Sequence, residues 1–425
     1  MTVDHGRTVE AARVGTGPLI TRNSGFARVW GAQLLSQSAT RMYQMGMLWW
    51  VLGQVVAGER GMASGIFLAC AALPPVLFAP WIGRVVAAHP SGRVLRGAVV
   101  AAAAIGLVLA VVALVARLPL VAVYPGMLAL ASCQALFDPC LTKAIPELVD
   151  DADIENATAF EQSTFSLVGM AGAVLGAVLV GVAGPSLVVA TSAAAYLAAA
   201  AVLGPVRFRP VESPEADADA PAGVLRTWRM LASRPFIRIA LVCFAAANFF
   251  ITATFVVLPL YTKDALAAPS TTLGLLEGAL WLGMLLGTFS GARLPGSPSR
   301  IGAVCVALFG AALVVPGLVA DRTVFLLCLL VAGWAVGATN VVFVALFQRT
   351  VPTSAKPAFF ATMLALLGAS FPLASLVFGV AGDLFGPQTL CLIQAVGLPP
   401  IALVLWLRSG RAAEAARAGA EEPRI

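Results

Sequence analysis

Apolar residues run along this chain in long blocks, each closed by a short charged or Pro/Gly-rich stretch. Twelve blocks can be drawn, at about 27–56, 63–86, 95–117, 119–142, 157–181, 184–206, 235–261, 271–292, 301–319, 323–348, 357–382 and 387–408. Each approaches the ~20 residues that a helix needs to cross ~30 Å of hydrocarbon at ~1.5 Å per residue. Helices are expected rather than strands, because lipid offers an open backbone no partners. The Ala/Leu/Val-rich blocks also lack the alternation of a barrel strand. The expected fold class is an all-α membrane protein with twelve transmembrane helices, numbered here as spans 1 to 12. The polar opening stretch, with Arg7, Arg13 and Arg22, does not read as a cleaved signal peptide.

Composition strengthens this picture. Hydrophobic residues make up 60% of the 425 and charged residues 11%, and the mean hydropathy is +0.91. A soluble domain carries roughly a quarter charged residues, so this chain has too few to coat a water-facing surface. The seven cysteines all lie inside apolar blocks, and the two histidines, His5 and His89, lie in water-facing segments. Neither a disulfide framework nor a metal site is expected, and no cofactor is implied.

The net charge of +6 would suit nucleic acid, but its distribution points to a membrane. With the N-terminus inside and the spans alternating, nearly all of the 27 Lys and Arg residues fall on the inner side. Only Arg60, Arg117, Lys263 and Arg322 fall outside, and Arg41 lies within span 1. Positive residues stay cytoplasmic, so both termini are expected inside, in a multi-pass cell (inner) membrane protein.

The chain also repeats itself. Phe26-Ala-Arg-Val29 opens span 1 and Phe236-Ile-Arg-Ile239 opens span 7. Gly83-Arg84 closes span 2 and Gly291-Ala-Arg293 closes span 8. Lys143-Ala-Ile-Pro146 pairs with Arg349-Thr-Val-Pro352, and Gly181-Val-Ala-Gly184 with Gly379-Val-Ala-Gly382. Six spans per half is an even number, so the halves share one orientation, a parallel repeat about an axis along the membrane normal. The expected domains are 1–206, a cytoplasmic linker 207–233, 234–409, and a cytoplasmic tail 410–425. The linker carries Pro210, Glu212, Pro214, Glu215, Asp217, Asp219 and Pro221, which cannot build a core. Residues 224–231 within it could form a short amphipathic helix.

Polar residues inside lipid are costly and should face a cavity or a neighbouring helix. Span 1 is richest in them, with Gln33, Gln37, Thr40 and Gln44 in a stripe at helical spacing and Arg41 beside it. Span 4 sets Gln134 and Asp138 four apart, span 7 sets Asn248 and Thr252, and span 8 sets Glu277 and Trp281. Span 10 holds Trp334, Asn340 and Gln348, whereas spans 3 and 9 have no strongly polar residue in their apolar cores.

Several motifs resemble one branch of the major facilitator superfamily, that of enterobactin exporters and macrolide efflux proteins. They include Phe26-Ala-Arg-Val-Trp30, Gln33-Leu-Leu-Ser36 and Leu48-Trp-Trp-Val-Leu52. Further along are Phe137-Asp-Pro139, Ile145-Pro-Glu-Leu-Val149, Phe347-Gln-Arg-Thr-Val-Pro352 and Gly379-Val-Ala-Gly-Asp383. The resemblance covers nearly the whole chain and implies cavity-lining first and fourth helices in each half. There are departures. The family's Gly-Asp after the first-span serine is Ala39-Thr40 here, and the acid of the loop after span 2 is replaced around Ala87, Ala88 and His89. Gly83, Gly92 and Arg93 remain as candidate gate residues of that loop. The Gly-Pro of span 5 becomes Gly172-Ala173, though Gly169, Gly172 and Gly176 keep a small-residue face for gating contacts. Span 4 lacks the arginine of many drug–proton antiporters.

The candidate substrate-binding residues are Arg41, Gln37, Thr40, Gln44, Gln134, Asn248, Trp281, Trp334 and Asn340. Arg41 lies ~18 Å above the inner end of span 1. There it either binds an anionic substrate group or pairs with an internal acid such as Asp138 or Glu277. Glu277 lies roughly 10 Å below the outer face and is the first candidate for proton coupling, with Asp138 the second or a gate contact. The expected function is proton-driven export of an amphipathic siderophore- or drug-like small molecule by alternating access, an antiporter working as a monomer among membrane lipids. The alternative is a lipid or lysophospholipid flippase on the same fold. A membrane-embedded enzyme is not expected, because no catalytic cluster is visible, and a channel is disfavoured by the lack of a filter or charge ring.

Overall fold

The computed structural model describes residues 19–115, 118–209, 231, 234–291 and 293–418. Most of the linker 207–233, including 224–230, lies outside the described residues, as do 1–18 and 419–425. Among the described residues there is no strand, and ten helices are long and apolar enough to cross a membrane. One of these, Ile154–Leu203, holds 50 residues and crosses twice, supplying spans 5 and 6. Span 1, Ser24–Gln54, is long enough at 31 residues but too polar to qualify by hydropathy. With these two corrections the count is the expected twelve. The remaining spans are Ser91–Val115 (3), Leu120–Leu148 (4), Ser270–Gly291 (8), Pro298–Leu318 (9), Arg322–Thr350 (10) and Lys356–Phe385 (11). Span 12, Pro387–Ala418, runs nine residues beyond the expected end of the second half at 409, well into the expected tail.

Spans 2 and 7 are broken helices. Span 2 runs Arg60–Leu77 and resumes as Ala79–Ala88. Pro74 and Pro75 each lack an N–H and crowd the carbonyl one turn back, which opens the helix before Phe78. Span 7 breaks at Ala253 between Pro235–Thr252 and Thr254–Leu260, then ends in a wide π turn at Tyr261–Ala265. The carbonyl of Phe250, freed at the break, accepts a 2.6 Å bond from Gln394 Nε2 on span 12. That explains a strongly polar residue in the apolar middle of span 12, where Gln394 is fully buried.

The repeat is visible in the turns. Gly184-Pro185 separates spans 5 and 6, and Gly386-Pro387 separates spans 11 and 12. Both glycines have positive φ, 73° and 75°, with extended ψ, a region essentially closed to other residues. Short 3-10 turns at Asp151–Asp153 and Thr353–Ala355 precede spans 5 and 11. These pairings shift two of the sequence matches by about one helical turn. Pro146 lies inside span 4 whereas Pro352 lies beyond span 10. Gly184 corresponds to Gly386, not to Gly382.

An even number of spans in each half puts both described chain ends at one end of the bundle, here called basal; the other is apical. The apical core is shared. One cluster of buried side chains joins residues such as Tyr43, Phe67 and Val189 of the first half to Val256, Leu276 and Phe378 of the second. The basal cores are separate: one holds only first-half residues, 19–206, and the other only 231–405.

Glycines make the apical closure possible. A Cβ on Gly61 would lie 2.3 Å from the carbonyl oxygen of Gly379, and one on Gly65 would lie 2.4 Å from that of Ser375. Spans 2 and 11 therefore touch backbone to backbone across the halves. Asp383, at the apical end of span 11, accepts bonds from the N–H groups of Gly61 (2.6 Å) and Met62 (2.9 Å), capping the first turn of span 2. Beside it Arg60 pairs with Asp264, and Ser270 Oγ donates to the carbonyl of Ala177 at 2.7 Å.

Loss of this cap should loosen the apical closure. Asp383→Ala is expected to cost about 0.5–2 kcal/mol at the helix end and to raise the labelling of a Phe67→Cys reporter by an impermeant maleimide, in a background without the native cysteines. Unchanged labelling would show that the glycine contacts suffice.

Candidate functional site

The site is built from the polar stripe of span 1, laid against spans 4, 5 and 6. Span 1 packs closely on span 5 because of two glycines. A Cβ at Gly172 would stand 2.7 Å from Arg41 Cβ, and one at Gly176 would stand 2.6 Å from the carbonyl of Met42. Gly169 faces the indole of Trp281 on span 8 at similar range, 2.7 Å. These three glycines set how closely spans 1 and 8 approach span 5.

A cavity of about 290 Å³ opens where the shared apical core ends. Its polar wall is Gln37, Thr40, Arg41 and Gln44 of span 1 with Gln134 and Asp138 of span 4. Ala71, Ala72 and Pro75 line it at the break in span 2, and Phe165, Val168 and Phe371 add an apolar wall.

Most of the polar groups are already bonded to one another. Asp138 Oδ1 accepts from Gln134 Nε2 at 2.6 Å and Gln37 Nε2 at 3.2 Å. Thr40 lies 3.3 Å from Gln134 Oε1 and shares a 2.7 Å hydrogen bond with the Tyr196 hydroxyl. Thr40 has one proton, so Tyr196 donates whenever Thr40 donates to Gln134. Tyr196 is 1% exposed and lies on span 6, where the residue pattern offers no reason to place part of the site. Gln37 Oε1 is buried and accepts no hydrogen bond from the described residues.

Arg41 is arranged differently. Its Nη1 donates to Gln44 Oε1 at 3.1 Å, and its guanidinium carbon lies 5.7 Å from the centre of a Trp281 ring. Among the described residues no carboxylate lies within ion-pair distance of it. Trp281 is steadied by edge contact with Phe165 and a tilted contact with Phe255. Glu277, one turn away on span 8, is 3% exposed. No hydrogen bond or ion pair to its carboxylate is found among the described residues, and it stands outside the cavity wall.

Other sequence candidates lie elsewhere. Asn248 Nδ2 is engaged by Ser370 Oγ (2.5 Å) and the carbonyl of Leu367, tying span 7 to span 11. The Trp334 indole donates to Ser290 Oγ at 2.8 Å. Its backbone carries the glycine contact of spans 8 and 10, where a Cβ on Gly287 would meet the Trp334 carbonyl at 2.0 Å. Asn340 is exposed and apart from the cavity. Gly83 and Arg93 are exposed, Gly83 with open space about it, and Gly92 packs on the Phe208 ring. The loop they flank is held within its own half: Lys143 Nζ donates to the carbonyl of Val86 (2.7 Å), and Ser91 Oγ to Glu147 (2.5 Å). Among the described residues no cluster of His, Cys, Asp and Glu could hold a metal ion.

Two six-span halves joined at one end, with a polar cavity beginning where their shared core stops, define a transporter of the major facilitator type. The profile of the transmembrane secretion effector family matches residues 16–422, and the chain belongs to that family. Solved structures agree on the fold. A nucleoside transporter, NupG in a point-mutant form, is 13% identical at a TM-score of 0.69, covering 90% of this chain and 99% of that one. A bacterial homologue of the iron transporter ferroportin, inward-facing, is 17% identical at 0.66, covering 91% and 99%. A bacterial homologue of the lysosomal transporter Spinster, inward-facing and occupied, is 12% identical at 0.66, covering 95% and 98%. No curated protein matches the sequence significantly.

The Gln134–Asp138–Thr40 network should be sensitive to a single apolar change. Gln134→Leu removes a donor from Asp138 and an acceptor from Thr40, an expected loss of about 1–3 kcal/mol. It should appear as a lower midpoint in thermal unfolding of the detergent-solubilised protein; an unchanged midpoint would mean that water replaces the amide without loss.

Proposed function

We propose that this chain exports an amphipathic small molecule by alternating access, driven by the proton gradient, as the branch resemblance to enterobactin and macrolide exporters suggests. The observation that carries the reading is the pairing of a shared apical core with separate basal cores around a polar cavity. Rocking about the apical contact closes the basal side, and release of that contact opens the apical one. The excess of Lys and Arg at the basal end supports a cytoplasmic basal face; on this reading the protein is in a cytoplasm-open state and both termini are inside. Substrate would enter near Arg41, Gln37, Thr40, Gln44 and Gln134, with Trp281 behind Arg41.

Glu277 is the proposed proton carrier. A carboxylate within the membrane, buried and with no hydrogen-bond or ion-pair partner among the described residues, is costly to keep unless it serves the transport cycle. Asp138 differs in having two amide donors, which suits a positioning role at the basal side of the cavity.

The test is uptake into inverted membrane vesicles of a fluorescent amphipathic drug, chosen by screening for an increment over vesicles lacking the protein. Uptake should fall severalfold when the pH gradient is collapsed. Glu277→Gln should lower gradient-driven uptake while leaving gradient-free exchange intact. Uptake indifferent to the gradient would remove proton coupling, and normal coupling in the variant would clear Glu277.

A further inference from the structure

The cavity contains one charged group whose hydrogen-bonding capacity is largely uncommitted. Arg41 has five N–H donors and gives one to Gln44. Gln134, Thr40 and Asp138, in contrast, are tied to one another and to Tyr196. Glu277 and Asp138 both act on Arg41 through space, yet neither comes within ion-pair distance to occupy the fork. The guanidinium carbon lies over a Trp281 ring, 5.7 Å from its centre. With one donor given to Gln44, the remaining N–H groups suffice for a planar or tetrahedral anion. Phe165 and Phe371 complete an apolar wall beside it.

Asp138 shares the cavity and would repel an anion placed near it. Its Oδ1 accepts from both Gln37 and Gln134, and Gln37 is one helical turn basal to Arg41. The two charges therefore mark separate ends of the polar wall. Gln37 Oε1 accepts no hydrogen bond from the described residues.

Resting on the reading of this chain as a small-molecule transporter, we propose that its cargo is an amphipathic organic anion. Arg41, backed by Trp281, receives the anionic group, and the Phe165–Phe371 wall takes the apolar body. The same chemistry could be offered by a soluble aromatic acid or by the headgroup of a lysolipid.

The experiment measures equilibrium binding to the full-length protein in nanodiscs without any gradient, so its result is independent of whether transport is proton-driven. The probes are 2-naphthoate, neutral 2-naphthamide and cationic 2-naphthylmethylammonium, with lysophosphatidylglycerol as competitor. Naphthoate should bind about tenfold or more tightly than the amide, the scale of one charge-assisted hydrogen bond. Arg41→Gln should bring naphthoate to roughly the affinity of the amide, and Arg41→Lys should keep part of the preference. Amide binding that survives in Arg41→Gln shows that the variant is folded. Displacement of naphthoate by lysophosphatidylglycerol through Arg41 would mark a lipid headgroup as the source, and no displacement a soluble acid; either supports an anion site. Equal binding of the three probes, an anion preference that persists in Arg41→Gln, or no binding of naphthoate would overturn the proposal.

Discussion

The structure depends on one contact, the backbone seam between spans 2 and 11 at the apical end. Lipid supplies no hydrophobic force between helices, so close association must come from dispersion, hydrogen bonds and small side chains. Gly61, Gly65 and Gly379 allow the two main chains to meet, and Asp383 adds two hydrogen bonds to otherwise orphaned N–H groups. With side chains absent from the seam, the halves share one core apically. They are free to hold separate cores basally. The cavity begins at the point where one core becomes two.

The same economy governs the polar residues. Span 1 carries more polar side chains than a lipid-facing helix could tolerate. They face inward, where Tyr196, Gln134 and Asp138 meet Thr40 and Gln37. The wall is lopsided: its polar side chains all come from the first half, and the second contributes Phe371. Trp281 and Glu277 approach from behind Arg41, on a span that meets span 5 through Gly274, Gly169 and their neighbours. Charge recognition is thus concentrated on one half and the apolar surface is contributed by both.

Much of this was legible in the residues. Block lengths set the number of crossings, even where hydropathy alone would have discarded span 1. Of the stripe at 33, 37, 40 and 44, the last three line the cavity with Arg41 and the pair at 134 and 138, because helical spacing sets them near one face; Gln33 is buried outside that wall, beside the Glu161 carbonyl. What failed to show depended on partners far away in sequence. Tyr196 looked like one of a few polar residues on a greasy helix until span 6 lay beside Thr40. Trp334 and Asn248 had the right residue type and depth, but Ser290 and Ser370 engage them first. Repeated tetrapeptides were equally persuasive and slightly misaligned. The φ of Gly184 and Gly386 sets the equivalence of the two halves, and a dihedral angle leaves only a weak trace in sequence.

The altered loop after span 2 acquires meaning from the same geometry. In that loop the expected acid is replaced, and its polar contacts, Lys143 to Val86 and Ser91 to Glu147, remain within the first half. Asp383 performs a comparable task at the opposite end, joining the second half to the first by capping span 2. Charge and helix end are matched apically, with Arg60 and Asp264 alongside. A carboxylate at a helix N-terminus gains from the aligned peptide dipoles as well as from its two hydrogen bonds. The latch therefore favours apical closure, and opening that end must break it together with the glycine seam. Occupation of the cavity can supply the difference only through contacts stronger in the closing state than in the open one. Arg41, with donors still uncommitted and Trp281 of the second half beside it, is where such a difference can arise.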